Sequence, residues 1–167
     1  MTTWGYVAVV GPGAAGERDR AHARRVGELL ALRGAVVVCG GLGGVMEAVC
    51  EGARAHGGVT VGLLPGRDRA AGNPFLTVCL PTGLGELRNG LVVGAADAVI
   101  AVGGSWGTLS EVALAMRTGK PTVVLAGWDV GADPGDGIFL RASSPEEAVR
   151  AVADALGNGP GRPAEGR

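Results

Sequence analysis

The chain has a single lysine, Lys120, among its fifteen basic residues, and only two histidines, His22 and His56. Three cysteines, Cys39, Cys50 and Cys79, form no C-x-x-C pair, so neither a zinc motif nor a disulfide framework is written here. The odd cysteine count fits a reducing cytoplasm. No apolar run approaches the ~18 residues of a membrane span. The N-terminus also lacks the basic-then-apolar layout of a secretory signal. A formal net charge of −1 gives no electrostatic case for a nucleic-acid or membrane partner. Neither histidine lies near a cysteine cluster, and no metal site is expected.

What the chain has is glycine, 32 residues of it, between short β-branched runs such as Val7–Val10 and Val99–Val102. With 47% hydrophobic and 19% charged residues, these glycines read as turns between buried elements. Strands are expected at Tyr6–Val10, Ala35–Cys39, Val59–Leu63, Leu76–Leu80, Ala98–Val102 and Thr122–Ala126. Helices are expected at Gly16–Arg33, Val45–His56, Leu84–Ala96, Thr108–Thr118 and from Ser144 to about Leu156. The last opens with Ser144-Pro145-Glu146-Glu147, a capping box with proline at the first helical position. Strands apolar on both faces that alternate with helices predict an α/β fold. That fold is a doubly wound, Rossmann-like parallel sheet with helices on both faces. Residues 1–156 form one nucleotide-binding domain on this reading, and 157–167 a disordered tail. Ligands of such sheets bind at the carboxyl ends of the strands.

Three glycine-rich loops follow strands. Gly11-Pro12-Gly13-Ala14-Ala15-Gly16 is formally G-x-G-x-x-G, which can bring amides to a phosphate. The acidic residue that a dinucleotide site needs at the end of strand two is missing, because Val38-Cys39-Gly40 stands there. Gly40-Gly41-Leu42-Gly43-Gly44 has more glycine than a turn needs. It reads as a ligand approach (Gly40, Gly41, Gly43, Gly44) or as close strand–helix packing. Gly103-Gly104-Ser105-Trp106-Gly107-Thr108 leads into Leu109-Ser110-Glu111. Here Thr108 and Glu111 are either a Thr-x-x-Glu capping box or a phosphate loop with a carboxylate one turn into the helix. A Ser-His-Asp triad on Ser105 is excluded, because no histidine follows His56. The Gly119-Lys120-Pro121 run is not a P-loop. Arg88 and Asn89 begin a helix after strand four, where an arginine can grip phosphate or a flat heterocycle.

Taken together, CGGLGGVMEAV (Cys39–Val49), PTGLGELRN (Pro81–Asn89) and DAVIAVGGSWGTLSE (Asp97–Glu111) resemble the LOG-like Rossmann family over roughly Tyr6 to Leu125. The closer likeness is to that family's molybdenum-cofactor-carrier branch. The family's enzymes are cytokinin riboside 5′-monophosphate phosphoribohydrolases with the signature P-G-G-x-G-T-x-x-E. Gly104, Gly107, Thr108 and Glu111 match it, and Arg88 falls at the family arginine. Gly103 replaces the usual proline, Ser105 a glycine and Asn89 a lysine, departures typical of the carrier branch. A lysine decarboxylase label attached to such proteins fails here, because Lys120 lies away from the glycine loops and a pyridoxal phosphate enzyme needs a Schiff-base lysine.

The resemblance implies two readings. The first is hydrolysis of a nucleoside 5′-monophosphate to free base and ribose 5-phosphate. Glu111 and Arg88 would be catalytic, and Gly103, Gly104, Ser105, Trp106, Gly107, Thr108, Asn89, Gly11, Gly13 and the second loop's glycines would hold the nucleotide. The alternative is a carrier that binds molybdenum cofactor or another phosphorylated heterocycle and breaks no bond. Both take a small phosphorylated heterocycle, a nucleoside monophosphate or molybdenum cofactor, and neither requires another cofactor. The resemblance also implies a homodimer or homotetramer, with the apolar Leu84–Ala96 helix available for an interface, and the cysteine count places it in the cytoplasm.

Overall fold

A computed structural model describes residues 4–129, 131 and 139–157. Seven parallel strands form one sheet in the order β4-β3-β2-β1-β5-β6-β7. They are β1 (Tyr6–Val10), β2 (Val36–Cys39), β3 (Val59–Leu64), β4 (Val78–Pro81), β5 (Ala98–Val102), β6 (Thr122–Leu125) and β7 (Phe139–Ala142). The first four strands run outward from β1 to one edge. The chain then returns to pair β5 on the other side of β1, with Val7 opposite Ala98 and Val10 opposite Ala101. Strand order therefore reverses between β1 and β5, where doubly wound sheets open a crevice.

Among the described residues five α-helices cover the sheet: α1 (Glu17–Leu32), α2 (Val45–Ala55), α3 (Asn89–Gly94), α4 (Trp106–Arg117) and α5 (Pro145–Gly157). One apolar cluster packs α1, α2 and α5 against one face, with Val7, Val9, Val37, Ile100 and Val26 fully buried. A second packs α3 and α4 against the other face through Val92, Val93, Val112 and Ala115. Alternate residues of β1 enter opposite clusters, which is why its sequence is apolar throughout. Each such buried side chain contributes about 1.5–3 kcal/mol.

The structure refines the expected elements. The Leu84–Ala96 helix is a 3-10 turn, Gly85–Arg88, followed by the short α3. Within it Val92, Val93 and Ala96 are core, while Leu84, Leu87 and Leu91 are exposed. A seventh strand, β7, was not expected. Its outer pattern is half-buried at the sheet edge, so it lacks the all-apolar signature of the inner strands. At α5 the box is split: Ser144 Oγ accepts from the Glu147 amide at 3.2 Å, but the Glu147 carboxylate binds the amide and hydroxyl of Ser143. Residues 158–167, expected as a tail, lie outside the described residues. Among the described residues no helix is long and apolar enough to cross a membrane.

Candidate functional site

The loops after β1, β2 and β5 meet at the carboxyl edge of the sheet. Those after β1 and β2 lock onto each other. The Val45 amide donates to Pro12 O at 3.1 Å. A Cβ on Gly11 would lie 2.5 Å from Val102 O, and one on Gly44 would lie 2.5 Å from Gly13 O. Gly44 also adopts φ 65 and ψ −128 as the residue before α2, a conformation that residues with a Cβ rarely take. Gly41 packs on Leu64 and Gly62. Gly13 and Gly43 keep more room, with their nearest neighbours 3.7–3.8 Å from an added Cβ.

Gly40 has a separate task. A Cβ there would sit 2.6 Å from Met46 Sδ and 2.7 Å from Arg88 Cζ. The space a side chain would fill is occupied by the Arg88 guanidinium, so the glycine is the seat of the arginine. Arg88 is only 7% exposed, and its Nε has no hydrogen-bond partner. Burial pushes the guanidinium below its ordinary pKa, opposed by attraction to Glu111 and Cys39.

Glu111, on α4, is 6% exposed. Burial pushes its carboxyl up to about 7, and the positive charge of Arg88 pulls the other way. Among the described residues no ion pair joins the two side chains. Two buried, oppositely charged groups thus sit in one electrostatic environment without a direct contact. Buried titratable groups perturbed in this way mark a candidate functional site.

The β5 loop supplies the amides. Ser105, not Thr108, caps α4: its Oγ accepts from the Thr108 amide at 3.1 Å and lies 2.9 Å from Thr108 Oγ1. The Thr-x-x-Glu capping box is therefore not formed, and Glu111 is free of that role. Thr108 is buried and its amide is taken, while the first turn leaves the amides of Trp106 and Gly107 open. Among the described residues Gly104 and Ser105 also lack a backbone acceptor. Gly103, at φ 68, packs on Pro12 and the Asp19 carboxylate of α1. Asn89 Nδ2 donates to Ser110 Oγ at 3.4 Å, linking α3 to α4 beside the charged pair.

Three further features had no signal in the motifs. Cys39 and Cys50, eleven residues apart, bring their sulfurs within 3.5 Å beside Arg88. Cys50 and the Gly41 amide hold the Cys39 thiol below its ordinary pKa, whereas Cys39 and then burial push Cys50 up. Lys120 donates to the carbonyls of Ala96 and Gly94, capping the end of α3 rather than facing the site. After β6, Ala126 takes φ 56, which costs a residue with a Cβ about 1–2 kcal/mol, and Trp128 follows it onto Gly104. The position of β6 beside β5 was the available clue, since its C-terminal loop must reach the same edge.

Residues 5–154 match the SLOG cluster4 family. The chain belongs to that family, a branch of the LOG-like superfamily. An uncharacterized protein of Archaeoglobus fulgidus is 41% identical over 144 residues, covering 83% of this chain and 95% of that one. Among solved structures, the molybdenum cofactor binding protein of Rippkaea orientalis is 36% identical with a TM-score of 0.86, covering 90% of this chain and 96% of that one. The molybdenum cofactor carrier protein of Chlamydomonas reinhardtii is 30% identical with a TM-score of 0.82, covering 91% and 98%. For this SLOG-family chain the fold and the carrier-like branch agree.

Proposed function

We propose that the chain is a carrier for molybdenum cofactor or a close phosphorylated pterin. The phosphate rests on the open amides of Gly104 to Gly107, at the N-terminus of α4, where backbone donors and the helix dipole favour an anion. Arg88 supplies the cation from its seat on Gly40, and Asn89 sets the spacing between α3 and α4. The observation that carries this reading is the buried Arg88 whose Nε has no partner, set near Glu111 of α4, the helix whose first turn is open. That donor set suits a phosphate ester. The two cofactor-binding relatives above support the pterin class. The exposed Leu84, Leu87 and Leu91 support assembly into a homo-oligomer, in the reducing cytoplasm that the free cysteines suit.

A second reading is favoured by Glu111. A carboxyl titrating near 7 lies in the range for general acid–base work at neutral pH. In a phosphoribohydrolase, deprotonated Glu111 would take a proton from water as its oxygen bonds to the ribose anomeric carbon. The bond from that carbon to the base nitrogen breaks, and the base leaves with the electron pair and is protonated. The test is to incubate the protein with a panel of nucleoside 5′-monophosphates and assay ribose 5-phosphate. In parallel, cofactor released from a denatured molybdoenzyme is passed with the protein over a sizing column and its pterin fluorescence followed. The carrier reading expects retained pterin, at least tenfold less with Arg88→Met, and no ribose 5-phosphate. Release that disappears in Glu111→Ala would overturn it in favour of the hydrolase.

A further inference from the structure

On one flank of the α4 first turn lies a shallow, half-open hollow. Its floor is Ala101, Val112 and Val124, its rim Ser105 and Thr108, and one wall is the indole of Trp128. That wall is held firmly. A Cβ on Gly127 would be 3.0 Å from Gly103 O, so the two backbones touch. A Cβ on Gly104 would be 2.6 Å from Trp128 Cδ1, so the indole rests on bare backbone. The chain reaches this position through the strained Ala126. Strain of this kind persists where the surroundings enforce it and gathers at ligand clamps.

Trp106 meets Trp128 edge to face, with ring centroids 5.2 Å apart and planes at 78°. Yet Trp106 is 79% exposed and Trp128 44%. Here an aromatic wall stands half in water beside an apolar floor. Gly104 and Ser105, which line the hollow, are also the residues with open amides.

We infer that this hollow is the ring subsite of the same ligand: a flat heterocycle lies against Trp128 while its phosphate sits on the adjoining turn. The inference rests on the phosphate reading above and adds the residue that selects for a ring. The sugar or pyran portion extends away over Trp106 and Gly107.

The test titrates three probes: ribose 5-phosphate, adenosine 5′-monophosphate and neopterin 3′-phosphate. Binding is measured by calorimetry, and indole emission in a Trp4→Phe, Trp106→Phe background that leaves only Trp128. At least one ring-bearing probe is expected to bind about tenfold tighter than ribose 5-phosphate, the scale of one aromatic stacking contact, and to quench Trp128. Trp128→Ala should erase the ring preference and leave ribose 5-phosphate affinity unchanged, and Trp128→Phe should restore most of the preference. Equal affinity of ringed and ringless probes with unmoved emission would overturn the subsite and leave the phosphate reading standing. Loss of ribose 5-phosphate binding in Trp128→Ala would also overturn it, making Trp128 a support of the loop. Failure of every probe would remove the phosphate reading and the subsite with it.

Discussion

The loops after β1 and β2 and the loop after β5 look alike in sequence, since each is glycine-rich and each joins a strand to a helix. Their glycines work differently. Gly11 and Gly44 lack side chains because backbone and core atoms occupy the space, and Gly40 because Arg88 does. These two loops are closed against each other and against the arginine. In the β5 loop Gly104 lies under an indole, and Gly107 has nothing nearer than Ser105 Oγ at 3.8 Å. Its first turn faces outward with unspent donors. Glycine richness therefore marks close packing in one region and access in the other, and only the neighbours distinguish them.

The contrast can be broken most severely at Gly44. Gly44→Ala places a methyl against Pro12 O and Gly13 O at a φ that alanine resists, and should cost about 2–4 kcal/mol in a urea melt. A loss below about 0.5 kcal/mol would show that the two loops are not locked. Glu111 is next. In the folded chain it titrates near 7 against an ordinary 4.5, so between these values the native state holds a proton that the unfolded chain has released. Stability from this group is full below about 4.5 and falls as pH rises through 7. Glu111→Gln should remove that fall, with the variant gaining on wild type by up to about 3 kcal/mol at pH 8. Parallel stability–pH curves would place Glu111 in solvent. The smallest effect is expected at Gly107: an alanine there makes only an ordinary contact with Ser105 Oγ at 3.8 Å, and stability should rise by no more than about 1 kcal/mol.

Much of this was legible in the chain. The apolar β1 and β5, Tyr6–Val10 and Ala98–Val102, were placed to the residue because burial on both faces leaves no polar position to blur their ends. Arg88 and Glu111 stand out in the loops and helix starts themselves, the resemblance adds a role for each, and the structure buries both near one another. Other features depended on tertiary packing. Ser105 and Thr108 both suit a helix cap, and local sequence does not rank them; the bond from the Thr108 amide does. The seat of Arg88 on Gly40 joins residues 48 positions apart, beyond any local pattern. Trp128 follows an ordinary strand, and only the β5–β6 pairing carries it to the site.

The central claim is that the ligand's phosphate meets the β5 loop and not the two closed loops. Amide chemical shifts of isotope-labelled protein, followed during titration with ribose 5-phosphate, test it directly. The account predicts saturable shifts at Gly104, Ser105, Trp106 and Gly107, abolished by Arg88→Met. Shifts confined to Gly13 and Gly43, the two roomier glycines of the closed loops, would contradict it.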